Sequence, residues 1–173
     1  MKTFSENIIF WDSEFSSLNP YKGEILSMGF VKPSGEELYI ELEHEGEVDP
    51  WVKENVLPYL SDKKISRGEA IDQMNRFVGK DYPFMVTYVS MYDTIYLYKL
   101  IKIKNDTKQL PFHWIPVDFA STLFAYGIDP AVIANDEAGF CMQLGIDLTN
   151  HRKHHALDDA KLLKEMYNKI VNR

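Results

Sequence analysis

Cysteine is nearly missing: Cys141 is the single one in 173 residues, so no internal disulfide framework can form. Its apolar context, Gly-Phe-Cys-Met, implies a buried thiol and a reducing, cytoplasmic setting. Long hydrophobic runs are also lacking. The run Ile8-Ile9-Phe10-Trp11 is too short for a secretory signal and ends at Asp12. No stretch approaches the roughly 20 apolar residues that a membrane span needs, so a soluble protein is expected. Positive charge is scarce, with 19 Lys and Arg against 26 Asp and Glu and a net charge of −7. That balance opposes passive binding to polyanions. It leaves a nucleic-acid enzyme open, because carboxylates that bind cations count as negative in a formal sum. Repeats, low-complexity tracts and linker-like shifts are missing too, which leaves one domain over residues 1–173.

The chain is 45% hydrophobic and 13% aromatic, enough for an ordinary core. Charge is distributed unevenly. Residues 151–173 carry Arg152, Lys153, Lys161, Lys164, Lys169 and Arg173 against Asp158, Asp159 and Glu165. Residues 99–108 carry Lys99, Lys102, Lys104 and Lys108 against Asp106, and the acid excess lies mainly in residues 36–54. Solvated faces are the plain reading of such runs. Arg152, Lys153, Lys99 and Lys102 are candidate phosphate contacts.

Hydrophobic periodicity predicts strands over 7–13, 24–32 and 37–43, the last two joined as a hairpin at Pro33-Ser34-Gly35. A short helix is predicted over 50–60. An amphipathic helix over 66–78 is opened by Ser66 and Glu69 as a capping box. A strand over 83–89, a helix over 93–103, a strand over 115–117 and a helix over 119–126 follow. Residues 131–150 give no clear signal, and 157–171 reads as a C-terminal helix. This order implies an α/β domain with a mixed sheet flanked by helices.

Three strings carry chemistry. In Trp11-Asp12-Ser13-Glu14-Phe15, two acids at spacing two end a hydrophobic strand and therefore share one face. Their repulsion and desolvation are relieved by a bound dication, and oxygen ligands of this kind suit Mg²⁺ or Mn²⁺. The plain alternative is two surface acids at a strand end. In Tyr88-Val89-Ser90-Met91-Tyr92-Asp93, Asp93 lies between an apolar strand and an amphipathic helix, where a helix N-cap is the plain alternative. In His154-His155-Ala156-Leu157-Asp158-Asp159-Ala160, a His precedes a helix whose first turns carry acids, and the small alanines let that helix approach the sheet. Helical spacing of four pairs His154 with Asp158, or His155 with Asp159.

In order and spacing these strings resemble the three motifs of DEDDh 3′–5′ exonucleases: D-x-E, a central Asp, and H-x-A-x-x-D-A. They are most similar to the small single-domain actinobacterial 3′–5′ exoribonuclease-like group. The supporting strings are Ile25 to Gly29 and Trp51 to Pro58. The resemblance implies an α/β, ribonuclease-H-like fold with a five-stranded mixed sheet flanked by helices. It selects His154 and Asp159 among the doubled residues. It implies Asp12, Glu14, Asp93 and Asp159 as ligands of two Mg²⁺ or Mn²⁺ ions, with His154 as general base. Ser13, Phe15, Leu18, Tyr92 and Arg152 are the expected substrate contacts. Val89 stands where many members have Asn, and Phe15 where many have Thr. The expected substrate is single-stranded RNA or a 3′ overhang, released as nucleoside 5′-monophosphates. DNA is the alternative substrate, and a catalytically silent nucleic-acid-binding module is the alternative role. A second copy of the chain is a candidate partner, and a membrane is not.

Overall fold

The computed structural model describes residues 3–102 and 110–171. The expectations for Ile103, Lys104, Lys108 and Arg173 lie outside the described residues.

Strand β1 (Ile8–Phe15) is the centre of a five-stranded sheet ordered β3-β2-β1-β4-β5. The antiparallel side is built from β2 (Ile25–Val31) and β3 (Glu37–Glu41). The hairpin between them turns at Gly35, which needs its φ of +96°. On the other side β4 (Phe84–Thr87) and β5 (Val117–Asp118) run parallel to β1. The mixed sheet is thus as the strand order implied. The predicted 115–117 strand is displaced to the two residues of β5.

Helices α1 (Pro50–Asn55), α2 (Arg67–Val78), α3 (Ser90–Ile101), α4 (Phe119–Ala125), α5 (Val132–Leu144) and α6 (Ala156–Val171) make up the helical layers. The helix predicted over 50–60 is α1 followed by a separate 3-10 turn at Leu57–Tyr59. In α2 the Ser66 hydroxyl accepts from the Glu69 N–H at 3.3 Å, and Ala70, Met74 and Val78 form its buried stripe. Residues without a clear sequence signal contain α5, whose helical run is interrupted at Asp136 (φ −153°, ψ 63°). That interruption explains why no single 3.6-residue period was visible there. No helix among the described residues is long and apolar enough to cross a membrane.

Alternation along β1 divides the core. Ile9 and Trp11 face α2 and α3, with Met28, Phe30 and Phe112. Phe10 faces the opposite layer, where α4, α5 and α6 contribute Phe119, Phe140, Leu163 and Tyr167. Cys141 is fully buried in this second layer.

Helix α6 lies unusually close to the sheet. Ala156 and Ala160 are fully buried. A Cβ built on Gly29 of β2 would overlap the Ala156 carbonyl and the Leu157 Cα. Gly29 pairs with Asp12 across the β1–β2 ladder, so this contact fixes the start of α6 over the end of β1. Gly29→Ala is expected to lower stability by roughly 1–3 kcal/mol, as overpacking against backbone does. Urea unfolding measures it as a lower midpoint at unchanged slope. An unaltered midpoint would contradict the close approach.

Candidate active site

The site starts from the period of β1. Asp12 and Glu14 continue the face begun by Phe10 and point toward the α6 layer. Ser13 points to the other face and donates its hydroxyl to Asp93 Oδ1 at 2.6 Å. Asp93 is buried in the first turn of α3, three residues past its start, so it is not the N-cap. The helix start is instead served by Asp118, whose carboxylate accepts from the Ser90 N–H at 2.9 Å and the Ser121 N–H at 2.8 Å. One carboxylate therefore caps α3 and α4 together and leaves Asp93 for another task.

From α6, Asp159 reaches back over β1. Ligand atoms of Glu14, His154 and Asp159 lie within 4.8 Å of one another. The same three residues and Asp12 border a cavity of about 480 Å³. Asp93 does not border it and sits behind Ser13. The doubled histidines and aspartates have different surroundings. His155 is buried, stacks on Tyr39 at 4.4 Å, and belongs with Asp158, which accepts from Arg152 Nε at 2.7 Å. His154 and Asp159 face the cavity. The spacing of five works because His154 precedes α6 in a left-handed turn, φ +62°. Such a turn costs a non-glycine residue about 1–3 kcal/mol. Trp51 meets the His154 ring edge-on at 4.9 Å.

These carboxylates work against one another. Burial pushes Asp12 well above the usual carboxylate range, and the charges of Asp159, Glu14 and Asp93 push it further. Burial, then Asp159 and Asp93, raises Glu14 to about 8. Burial lifts Asp93 to about 7 even though the Ser13 hydrogen bond pulls it down. Burial holds His154 below its ordinary value against the opposite pull of Asp159. Charges of one sign packed this way call for a cation.

Of the expected substrate contacts, Ser13, Phe15 and Leu18 border the cavity. Phe15 is also stacked on Tyr96 at 4.1 Å, and Leu18 is 59% exposed. The other two lie off the cavity. Tyr92 packs against the α2–α3 core and lies off the cavity, because three residues past Val89 is already inside the helix. Arg152 is held by Asp158 and does not border the cavity. Among the other basic candidates, Lys153 borders the cavity with Nζ 3.7 Å from Glu137. Lys99 instead donates to the Pro20 carbonyl at 2.9 Å and to the Gly23 carbonyl, securing the β1–β2 loop. Sequence reasoning did not assign Glu137 or His151 to the site. His151 Nε2 is 3.2 Å from Asp159, and Glu137 follows the break in α5, where no periodic signal survives.

No protein-family model matches the sequence, and no curated protein matches it. The fold is similar to solved structures of exonuclease I. One aligns with a TM-score of 0.71 and 12% identity over 96% of this chain and 41% of that one. Escherichia coli exonuclease I, solved with zinc and single-stranded DNA, aligns at 0.68 and 13% over 95% and 40%. The Methylocaldum szegediense enzyme aligns at 0.66 and 12% over 96% and 40%. At these identities the likeness establishes the fold, a ribonuclease-H-like mixed sheet. This chain spans about two fifths of the length of those proteins.

The raised carboxylates make metal-free stability depend on pH. Glu14 in the fold holds a proton up to about pH 8, whereas the unfolded side chain releases it near 4.5. Its stabilising contribution is therefore complete below pH 4.5 and lost as pH climbs to about 8. In chelator the melting temperature is expected to fall from pH 5.5 to pH 8.5, and Mn²⁺ is expected to raise it most at the upper pH. Calorimetry of the D12N/E14Q variant checks the cause. Loss of the same amount of stability over that interval would show that these two acids are not responsible.

Proposed function

We propose that this chain is a metal-dependent 3′–5′ exonuclease that removes nucleoside 5′-monophosphates from the 3′ end of a single-stranded polynucleotide. The observation that carries this reading is the convergence of Asp12, Glu14, Asp159 and His154 on one cavity, with Asp93 behind them. It occurs on a fold similar to that of exonuclease I. The chain spans only part of the length of those enzymes, so their activity is a guide and not a transfer.

The donor set fits Mg²⁺ or Mn²⁺, since its carboxylate oxygens are crowded, buried and mutually repelling. We assign two ions. Asp12, Glu14 and Asp159 would hold one ion, and Asp93 with Asp12 would hold the second. When bound, the ions supply charge neutralisation at the scissile phosphate and a lowered pKa for the attacking water.

The remaining work falls to the protein. His154, kept neutral at pH 7 by burial, is free to accept the proton of that water. Its left-handed backbone and the Trp51 contact fix the ring at the cavity wall. Phe15, Leu18 and Trp51 give the cavity an apolar side against which the terminal base can lie. Stacking of this kind contributes about 1–3 kcal/mol per base. Lys153 is the cation at the rim for a phosphate. A net charge of −7 leaves little attraction for the rest of a polyanion, which suits engagement of one terminus.

The sugar preference has two supports that point apart. Motif resemblance favours RNA, and the E. coli exonuclease I solved with single-stranded DNA favours DNA. Digestion of matched 5′-labelled RNA and DNA oligonucleotides with Mg²⁺ or Mn²⁺ is expected to give ladders shortening from the 3′ end. The faster polymer identifies the substrate. A purified chain that shortens neither would mark a silent binding module.

His154→Asn is the sharper test of mechanism, because Asn tolerates the left-handed turn. It is expected to lower kcat by about 10²–10⁴-fold. Mn²⁺ affinity measured by calorimetry should stay near that of the native chain. In the native enzyme the acid limb of kcat/KM should fall below pH 6.5, since His154 must be neutral and its pKa is depressed. Full activity in the variant would exclude His154 as the base.

A further inference from the structure

Asp159 also belongs to a second set of donors. His151 Nε2 lies 3.2 Å from Asp159 Oδ1 and 3.8 Å from Glu137 Oε1. The ligand atoms of all three lie within 4.8 Å of one another. The His151 side chain is only 9% exposed, and Nε2 has no aligned hydrogen-bond partner among the described residues. A buried ring nitrogen thus sits within ion-pair distance of two carboxylates. The backbone is built around this point. The break at Asp136 places Glu137 at the start of a new helical segment, which the Asp136 carboxylate caps at the Gly139 N–H, 3.0 Å away. His151 is set by the turn after α5, its N–H donating to the Leu148 carbonyl at 3.0 Å.

The two separations from His151 are close to those of a tetrahedral site. Zinc bonds imidazole nitrogen at about 2.0–2.1 Å and carboxylate oxygen at about 2.0–2.2 Å, so ligand atoms stand roughly 3.3–3.5 Å apart. The separations of 3.2 and 3.8 Å lie on either side of that range. An imidazole with two carboxylates and one open position suits a zinc-type ion, whereas the all-oxygen set at Asp12 suits Mg²⁺. Lys153, with Nζ 3.7 Å from Glu137, serves as the counter-ion there and has to withdraw when a dication enters.

We propose that Glu137, His151 and Asp159 form a binding site for a zinc-type transition-metal ion, whose occupancy withdraws Asp159 from Glu14 and His154 and inhibits the enzyme. The inhibitory half rests on the exonuclease reading, and the binding half does not.

The test uses the full chain carrying D12N and E14Q, which removes the acids of the other metal set. Zn²⁺ and Co²⁺ are titrated by calorimetry and visible absorption, with circular dichroism confirming the fold of each variant. One ion is expected to bind, Co²⁺ giving the intense ligand-field bands of a tetrahedral site. Adding His151→Gln or Glu137→Gln is expected to weaken binding at least about tenfold. Adding His154→Gln is expected to leave it unchanged. Equal affinity with and without His151→Gln overturns the site, and so does equal weakening by His154→Gln. In the otherwise native chain, Zn²⁺ added to the Mg²⁺ reaction should inhibit, and His151→Gln should resist. Equal inhibition of both overturns the sharing of Asp159. A chain with no nuclease activity ends the exonuclease reading, while the zinc titration still decides the site.

Discussion

Carboxylates of like charge, gathered at the end of one strand, impose the condition around which the rest is arranged. Burial raises Asp12, Glu14 and Asp93, and the Asp159 charge raises Asp12 and Glu14 further, with Glu14 lifted to about 8. A fold that keeps such a group without a counter-charge loses stability, and selection for stability alone would not retain it. The repulsion is held in place by packing elsewhere. The apolar layers on either face of β1 hold the strand, and the contact of Ala156 and Ala160 with the sheet holds α6.

Gly29 is the point where packing and charge meet. Any side chain there would push α6 away from β2, and with it Asp159 and the loop bearing His154. On the other face the Ser13 hydroxyl restrains Asp93, and Asp118 caps α3 so that Asp93 need not. The site is therefore supported from both sides of the sheet: one layer presents an acid and an imidazole, the other positions a carboxylate behind the strand. The left-handed backbone at His154 is a local cost borne where the imidazole must leave the helix axis and turn into the cavity.

Loops add what the sheet does not. The turn before α6 separates two histidines with opposite surroundings: His155 joins Tyr39, Arg152 and Asp158, and His154 joins Trp51 and the cavity. The broken α5 brings Glu137 and Lys153 together at the rim, and His151 beneath them links that rim to Asp159. Local irregularity thus supplies most of the polar groups that surround the acids.

Much of this was legible in the chain. The two-residue period of β1 put Asp12 and Glu14 on one face, the alanines announced the approach of α6, and the strand order implied the mixed sheet. These features are local, and backbone geometry alone enforces them. Other features lie between distant segments. That Asp118 and not Asp93 caps α3, that Arg152 pairs with Asp158, that Tyr92 turns into the core, and that Glu137 and His151 join Asp159 depend on elements far apart in sequence. Which partner a side chain meets is set by how helices pack on the sheet. No periodicity within one segment encodes the position of another, so only the tertiary structure decided them.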